Sequence, residues 1–393
     1  MLNTKFSPWP SFTQEEADAV SRVLLSNKVN YWTGTECREF EKEFAEWAGS
    51  NYAIALANGT LALDVALKAL GVGVGDDVVV TPRTFLASAS TVVTAGANPV
   101  FADVDLNSQN ITADTINAVL TPNTKAVIVV HLAGMPADMD PIMALAAEKG
   151  FFVIEDCAQA HGARYKGRSV GNIGHIGAWS FCQDKIMTTG GEGGMVTTND
   201  KALWQVMWSY KDHGKNFDSV YHKQHAPGFR WVHDSFGTNW RMMEIQAVIG
   251  RIQLKQMKDW TQIRQRNAKS LDEVASPFKC IRLVNVPADF IHAEYKHYFF
   301  INSDKLAVGW TRDRIVEEIS NKGVPCYQGS CSEVYLEKAF DNTKWRPKQR
   351  LKNAKELGET SIMFLVHPTL TNEEINKTCQ VIKDVLSKAS VVD

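Results

Sequence analysis

The sequence predicts an α/β fold, with a large domain built on a mostly parallel mixed sheet flanked by helices and a smaller α+β domain at the C-terminus. Short apolar runs rich in β-branched residues alternate with helical patterns through the first two-thirds of the chain. These runs are continuously apolar, as strands covered on both faces of a parallel sheet require. The length of 393 residues suggests two domains, which we place at 1–250 and 251–393.

Six apolar runs are the predicted strands of the large sheet, and they lie at 77–82, 98–103, 125–131, 151–155, 177–181 and 194–198. Helices are predicted between them at 60–70, 85–95 and 141–149, the last followed by Gly150 as a C-terminal cap. In such a fold, ligands bind at the carboxyl ends of the strands.

Outside the large sheet, a helix is predicted to begin at Thr13, which is followed three residues later by Glu16 in the pattern of a capping box. A long helix from Arg241 to about Asp272 is predicted to connect the two domains. The smaller domain has a predicted strand at His297–Ile301 and predicted helices at 312–322 and 372–388.

The composition is that of a globular protein, with 45% hydrophobic and 22% charged residues and a formal net charge of −2. This balance, without a block of five or more Lys or Arg, argues against nucleic acid as a partner. No apolar run approaches the ~18–20 residues of a membrane helix, and residues 1–8 lack a signal-peptide core. The seven cysteines form no Cys-x-x-Cys pair and the ten histidines no zinc-protease motif, so a reduced, cytoplasmic protein without a metal is expected.

One stretch places a lysine shortly before a glycine-rich turn. Lys185 follows the predicted strand that ends near Ser180, and Gly190-Gly-Glu-Gly-Gly194 leads into the next strand. Glycines there let the backbone pass close to a ligand, with the lysine projecting into the same space. The stretch is not a P-loop, because the lysine precedes the glycines and no helix follows. Taken alone, such a lysine is more often structural or merely solvated.

Two further patterns place polar groups at strand and helix ends. A buried strand runs into Asp156, followed by Gln159, while Glu155 is expected to face elsewhere. Asp156 either pairs with a cationic ring nitrogen or caps the following turn. Gly59-Thr60 opens a helix, where free N–H groups, a hydroxyl and the helix dipole favour a phosphate. Thr is also an ordinary N-cap residue, so that reading stays open.

A phosphate-type helix start, a strand-end acid and a lysine beside glycines together fit one cofactor, pyridoxal 5′-phosphate (PLP). This cofactor needs an amine for a Schiff base, a carboxylate that keeps its pyridine nitrogen protonated, and a cradle for its phosphate. The order of cradle, acid and lysine along the chain matches that of the aspartate-aminotransferase-like (fold type I) PLP enzymes.

Nearly end to end, the chain resembles the DegT-type sugar aminotransferase family. The segments that carry the resemblance are Tyr31-Trp-Thr-Gly, Asn58-Gly-Thr-Leu-Ala-Leu, Thr81-Pro-Arg-Thr-Phe85, Glu155-Asp-Cys-Ala-Gln-Ala-His-Gly-Ala, Ser180-Phe-Cys-Gln-Asp-Lys185, Gly190-Gly-Glu-Gly-Gly-Met195, His213-Gly214 and Gly237-Thr-Asn-Trp-Arg-Met. An added glycine at Gly190-Gly191, and Cys182-Gln-Asp184 in place of a His-Pro-Thr type of sequence, depart from the family and bear on loop shape and substrate. Relatives that act as sugar dehydratases carry histidine where Lys185 stands, so the resemblance implies a transaminase.

The resemblance also implies a set of cofactor-binding residues. They are Lys185 as the Schiff-base and catalytic lysine, Asp156 at the pyridine nitrogen, Gln159 at the phenolic oxygen, Gly59, Thr60 and Ser180 at the phosphate, Phe85 stacked on the ring, and Asn239 at the phosphate of the neighbouring subunit's cofactor. The role of Asn239 implies a homodimer with two shared active sites.

Four more residues are candidates for contact with the substrate. Trp32 and Thr33 lie in a segment that the family places close to the substrate, although Trp32 can equally be a core residue. His213 has either a structural or a substrate-contact role near the subunit boundary. Arg241 either meets the carboxylate of the amino donor or forms an ion pair that holds the dimer together.

The implied reaction moves an amino group from L-glutamate to a keto sugar for cell-surface polysaccharide or lipopolysaccharide biosynthesis, most commonly a nucleotide-linked keto-deoxy sugar. A free keto sugar such as 8-keto-octulosonate stays open as the acceptor. A non-catalytic PLP-binding regulatory protein is the alternative of another class, and the intact lysine argues against it. A nucleotide-binding oxidoreductase is disfavoured because no Gly-x-Gly-x-x-Gly follows a first strand.

Overall fold

The computed structural model describes residues 5–391. Residues 1–4 and 392–393 lie outside the described residues. The expectation about a signal peptide rests partly on residues 1–4. The first predicted domain begins, and the second ends, in these undescribed residues. The strands, in chain order, are β1 (Tyr52–Leu56), β2 (Asp77–Val80), β3 (Asn98–Phe101), β4 (Thr124–Val130), β5 (Phe152–Asp156), β6 (Arg164–Tyr165), β7 (Arg168–Ser169), β8 (Ile176–Ser180), β9 (Gly194–Thr198), β10 (Ile281–Leu283), β11 (Phe290–Ile291), β12 (His297–Ile301), β13 (Cys326–Tyr327) and β14 (Ser361–Phe364). The α-helices are α1 (Gln14–Leu25), α2 (Glu36–Ala48), α3 (Gly59–Ala69), α4 (Ala87–Thr94), α5 (Ala113–Asn117), α6 (Met139–Lys149), α7 (Lys201–Lys211), α8 (Phe217–Tyr221), α9 (Glu244–Ala275), α10 (Arg312–Asn321), α11 (Lys352–Thr360) and α12 (Asn372–Ala389).

A seven-stranded sheet in the order β1-β9-β8-β5-β4-β2-β3 forms the centre of the protein. The strands from β8 to β3 in that order are parallel to their neighbours, whereas β9 is antiparallel to both β1 and β8. Consecutive side chains of a strand point to opposite faces, so Val78 packs with α3 and α4 while Val79 packs with α5 and α6. The predicted mixed α/β sheet is confirmed.

The C-terminal part of the chain folds around a smaller antiparallel sheet in the order β10-β12-β14-β13. Its apolar core includes residues of α10 and α12 and the second half of α9. The first half of α9 packs on α2, in the core of the large sheet. The predicted boundary at 250 therefore lies within one continuous helix, and the division into two domains stays a prediction.

Predicted and observed elements agree within a few residues where the hydrophobic pattern is strong. The capping box is confirmed, since the Thr13 hydroxyl accepts from the Glu16 N–H at 3.4 Å and Glu16 Oε2 accepts from the Thr13 N–H at 2.6 Å. Gly150 closes α6 with φ +79°, which glycine adopts at little cost. Among the described helices, none combines the length and apolarity that crossing a membrane demands.

Candidate active site

A cavity of about 730 Å³ opens where β5 and β8 end, between the start of α3 and the residues that precede β12. This is the edge of the sheet where a fold of this class binds ligands. The predicted cofactor-site residues that line it are Gly59, Thr60, Phe85, Asp156, Gln159, Ser180 and Lys185. The structure thus brings together all of that set except Asn239.

Asp156 ends β5 and is buried, with 7% of its surface exposed. Its Oδ2 accepts a hydrogen bond from the Ser88 hydroxyl at 2.8 Å, and its Oδ1 accepts from the Ala158 N–H at 3.1 Å. Burial raises the pKa of Asp156 above its ordinary value, because these neutral donors compensate only partly for lost hydration. The carboxylate would gain most from a cationic partner placed in the cavity.

Gln159 lies one turn further along, and the structure fixes the orientation of its amide. The Oε1 atom accepts the Ala133 N–H at 2.7 Å, so the amide oxygen is bound to the protein backbone. The amide NH₂ group is therefore left as the donor on a residue that lines the cavity. A donor at this place suits a ligand oxygen near the Asp156 carboxylate.

The start of α3 presents open hydrogen-bond donors to the cavity. Asn58 caps the helix through its side chain, which accepts the Leu61 N–H at 3.0 Å, so Thr60 is not the N-cap. The Thr60 hydroxyl stays exposed at the cavity wall, and N–H groups in the first turn of a helix lack partners within the helix. This arrangement is typical of an anion site.

Lys185 lies in the loop between β8 and β9, with its side chain 16% exposed. Its backbone is held on both sides, since its N–H donates to the Cys182 carbonyl at 3.1 Å and its carbonyl accepts the Trp9 indole N–H at 2.8 Å. Its Nζ lies 3.7 Å from Asp184 Oδ1. The departure from the family at position 184 therefore places a carboxylate beside the lysine.

Tyr295 and Lys296 complete the wall of the cavity from the C-terminal part of the chain. The Tyr295 hydroxyl donates a short hydrogen bond to Asp184, and the Lys185 Nζ lies 5.2 Å from the centre of the Tyr295 ring. Neither residue is among the predicted site residues, and nor is Ser88. No local sequence signal marks Tyr295 and Lys296, because their proximity to Lys185 arises only when the segment before β12 packs on the large sheet.

The remaining predicted residues form a second group outside this cavity. Arg241 donates to the buried Asp212 at 2.7 Å, so its ion pair lies within the chain, and Trp32 stacks on Tyr221 with a 6.2 Å ring separation. The Thr33 hydroxyl donates to the Asn30 carbonyl. His213 is exposed, and the backbone of Asn239 pairs with that of Asp212 in an isolated antiparallel β-bridge. The roles predicted for Trp32, Thr33, His213, Arg241 and Asn239 stay predictions.

Glu155 faces away from the cavity, as expected, and belongs to a buried cluster with His131 and Cys157. Its carboxylate accepts the N–H groups of Gly171, Ile173 and Gly174 and pairs with His131 Nε2 at 2.9 Å. His131 Nδ1 accepts the Ala137 N–H. These groups are already bonded within the fold, so the cluster supports the sheet behind the site.

Comparison with known proteins agrees with this geometry. The family model described as the DegT/DnrJ/EryC1/StrS aminotransferase family matches residues 10–383. GDP-perosamine synthase of Escherichia coli O157:H7 is 35% identical over 389 residues, which cover 96% of this chain and 97% of that protein. The UDP-N-acetyl-3-dehydro-alpha-D-glucosamine 3-aminotransferase of Acidithiobacillus ferrooxidans is 33% identical over 388 residues, covering 98% and 96% of the two chains.

A solved structure extends the likeness to three dimensions. The aminotransferase from Psychrobacter cryohalolentis is 64% identical and superposes with a TM-score of 0.96, covering 97% of this chain and 99% of that one. The resemblance inferred from the motifs is thereby confirmed over nearly the whole chain. The protein belongs to the DegT/DnrJ/EryC1/StrS aminotransferase family and is a PLP-dependent aminotransferase.

Proposed function

We propose that this protein transfers the amino group of L-glutamate to a nucleotide-linked keto-deoxy sugar, in the biosynthesis of a cell-surface polysaccharide or lipopolysaccharide. The observation that carries the proposal is the convergence of Lys185, the buried Asp156 carboxylate and the open start of α3 in one cavity. The acceptor class is supported by the names of two relatives, a GDP-perosamine synthase and a 3-aminotransferase of a UDP-linked keto sugar.

The residues of the cavity fit PLP by their own geometry. A Cβ atom added to Gly59 would lie 2.5 Å from the Cβ of Ser180, so glycine is what lets the start of α3 approach Ser180 this closely. Asp156 offers a buried carboxylate with neutral protein donors only, and Gln159 offers a free amide N–H. A phosphate, a ring nitrogen and a phenolic oxygen are the groups that these three features suit.

When bound, PLP supplies an aldehyde that condenses with an amine and a ring that withdraws electrons from the reacting carbon. Lys185 would hold PLP covalently through its Nζ until a donor amine displaces it. The freed Nζ would act as general base toward the proton on the donor Cα and would carry that proton as general acid. Asp156 holds a proton on the ring nitrogen, because a carboxylate stabilises the cationic form.

We assign phosphate binding to Gly59, Thr60 and Ser180. Phe85, which is 71% exposed at the mouth of the cavity, is assigned to stacking on the cofactor ring. Asn239 is exposed and outside the cavity of its own chain, and we assign it to the phosphate site of a partner in a homodimer.

We assign Trp32, Thr33, His213 and Arg241 to substrate contact in that same homodimer, where they would reach the partner's cavity. Sedimentation equilibrium of the purified protein checks the dimer. A cytoplasmic location is supported by the seven cysteines, all of which lie within residues 5–391 and are free thiols.

The test is an incubation of the PLP-loaded protein with L-glutamate and a panel of keto sugars, with the products identified by mass spectrometry. The panel holds nucleotide-linked 3-keto and 4-keto-6-deoxy sugars and free 8-keto-octulosonate. We expect 2-oxoglutarate and a nucleotide-linked amino sugar. Amination of the free sugar alone would move the assignment to the 8-amino-octulosonate alternative, and a protein that binds PLP yet leaves glutamate unchanged would be a regulatory binder.

Gly59→Ala is expected to weaken PLP binding by roughly 5–150-fold, the equivalent of about 1–3 kcal/mol of overpacking. The reason is that the new methyl group would meet Ser180 across the phosphate site. Absorbance titration of the apoprotein with PLP measures the change. Gly73→Ala is the matched control, because an added Cβ there would lie 4.0 Å from its nearest neighbour, the Ala95 carbonyl oxygen, and the backbone needs no positive φ. Equal PLP affinity in the two variants would remove Gly59 from the phosphate site.

A further inference from the structure

The charge of the cavity wall points to a binding role for a lysine that the reaction leaves unassigned. Among the described residues that line the cavity, the positively charged side chains are Lys185 and Lys296. Lys185 is committed to the cofactor and to proton transfer. An α-amino acid donor brings a carboxylate on the carbon that carries the reacting amine, and a carboxylate leaving water needs a charged partner. Building on the function proposed above, we propose that Lys296 binds the α-carboxylate of the amino donor.

The position of Lys296 suits this role. Its Nζ lies 4.8 Å from the centre of the Tyr295 ring, and the Lys185 Nζ lies 5.2 Å from the same centre. The donor amine replaces Lys185 on the cofactor, so the α-carboxylate must lie within a few ångströms of the place where Lys185 acts. The donor amine takes the place of one ammonium group, that of Lys185. The second, that of Lys296, borders the same ring and can bind the carboxylate of the same molecule.

The Lys296 ammonium is also available. Asp184, the acid whose charge acts on this group, accepts the Tyr295 hydroxyl and lies 3.7 Å from Lys185 Nζ. Within residues 5–391, the contact that the Lys296 ammonium makes is with the Tyr295 ring. Burial lowers the pKa of Lys296 to about 8; Asp184 opposes this shift, whereas Arg264 and Lys185 add to it. An incoming carboxylate would relieve this uncompensated charge.

The backbone around Lys296 is held in place by α9. Arg264 Nη1 donates to the carbonyls of Glu294 and Tyr295 at 3.3 and 3.4 Å. The His297 ring bonds Glu294 through Nδ1 at 3.0 Å and Asp272 through Nε2 at 2.9 Å. Residues on both sides of Lys296 are therefore fixed before substrate arrives, which is the condition for a side chain that orients a ligand.

The experiment follows the half-reaction of PLP-loaded protein with L-glutamate, which needs no acceptor sugar. Lys296→Met removes the charge at similar length, and Lys296→Arg keeps it. We expect Lys296→Met to raise the glutamate concentration at half-saturation by roughly 10–100-fold, which corresponds to the loss of one hydrogen bond to a charged group. The limiting rate should change little. Lys296→Arg should recover most of the loss. Circular dichroism and PLP absorbance check that both variants fold and load.

A second readout separates binding from a merely structural role. The groups that face Lys296 are Lys185 and Asp184 from the β8–β9 loop, Tyr295 beside it, Arg264 from α9 and His367 after β14. In the wild-type protein, the glutamate concentration at half-saturation should increase as the pH is raised past about 8, because Lys296 then loses its proton. This increase should be absent in Lys296→Arg.

Three outcomes would overturn the assignment. In the first, Lys296→Met keeps the wild-type half-saturation for glutamate. In the second, the loss appears instead in the keto sugar half-reaction. In the third, both half-reactions lose rate equally while the pH profile keeps its shape. Failure of the wild-type protein to react with glutamate at all is a separate result, and it would contradict the proposed function itself.

Discussion

Lys185→Ala is expected to abolish transamination, lowering kcat by roughly 10⁴–10⁶-fold, the scale seen when an essential nucleophile or base is removed. In the proposed mechanism Lys185 both binds the cofactor covalently and moves the proton at the donor Cα, so alanine would remove two functions at once. Lys296 also borders the Tyr295 ring, but its backbone is anchored, so we do not expect it to take the place of Lys185. Single-turnover absorbance with L-glutamate measures the loss.

Borohydride reduction followed by peptide mass analysis tests the same residue without turnover. Wild-type protein should carry the cofactor fixed to position 185, and Lys185→Ala should carry none. Lys201→Ala is the matched control, because Lys201 is an exposed lysine at the start of α7, away from the cavity. Full turnover in Lys185→Ala, or fixation at another lysine, would contradict the assignment.

Asp156→Asn is expected to reduce kcat by roughly 10²–10⁴-fold, corresponding to about 3–5 kcal/mol for loss of one member of a buried charge pair. The amide cannot hold the ring nitrogen in its protonated form, so the ring withdraws electrons less strongly. Affinity for PLP should fall less, since the phosphate site proposed at Gly59, Thr60 and Ser180 would be unchanged. Steady-state kinetics with glutamate, together with a PLP titration, separates the two effects.

Ser88→Ala serves as the matched control for Asp156. It removes one neutral hydrogen bond at 2.8 Å from the carboxylate and should cost only about tenfold in kcat. A cofactor analogue methylated on its ring nitrogen is permanently cationic, and it should restore part of the activity of Asp156→Ala, which has room for the methyl group. Wild-type kcat in Asp156→Asn would show that the carboxylate does not act on the ring.

Most strands of the large sheet were predictable because their residues are covered on both faces, which leaves an unbroken apolar run such as Ala126–Val130. Absent from the predicted elements are β1, α2 and α7, among others. β1 is a five-residue edge strand that is defined by its pairing with β9. The amphipathic α2 alternates charged residues with Phe40 and Phe44, and its position becomes clear only where these rings pack on Trp179 and Phe181.

The sequence could predict that four groups meet in one cavity, because each belongs to a short contiguous motif: Asp156, Gln159, Lys185 and the Gly59-Thr60 helix start. Their roles toward the cofactor stay predictions. Strands and helices carry such motifs to the same edge of the sheet by topology alone. The neighbours that tune these groups carry no local pattern. Ser88 and Tyr295 are separated by long stretches of chain from the carboxylates that they contact, and Lys296 reaches the site as the neighbour of Tyr295.

By itself, the order of residues determined the fold class and the cofactor, because the first depends on the local hydrophobic period and the second on short polar motifs. Only the folded chain decided that the NH₂ end of the Gln159 amide is the free one and that Asn58 rather than Thr60 caps α3. It also decided that a second ammonium group, that of Lys296, borders the same Tyr295 ring as Lys185. The physical reason is that hydrogen-bond partners and charge environments are set by long-range packing, which a linear pattern does not contain.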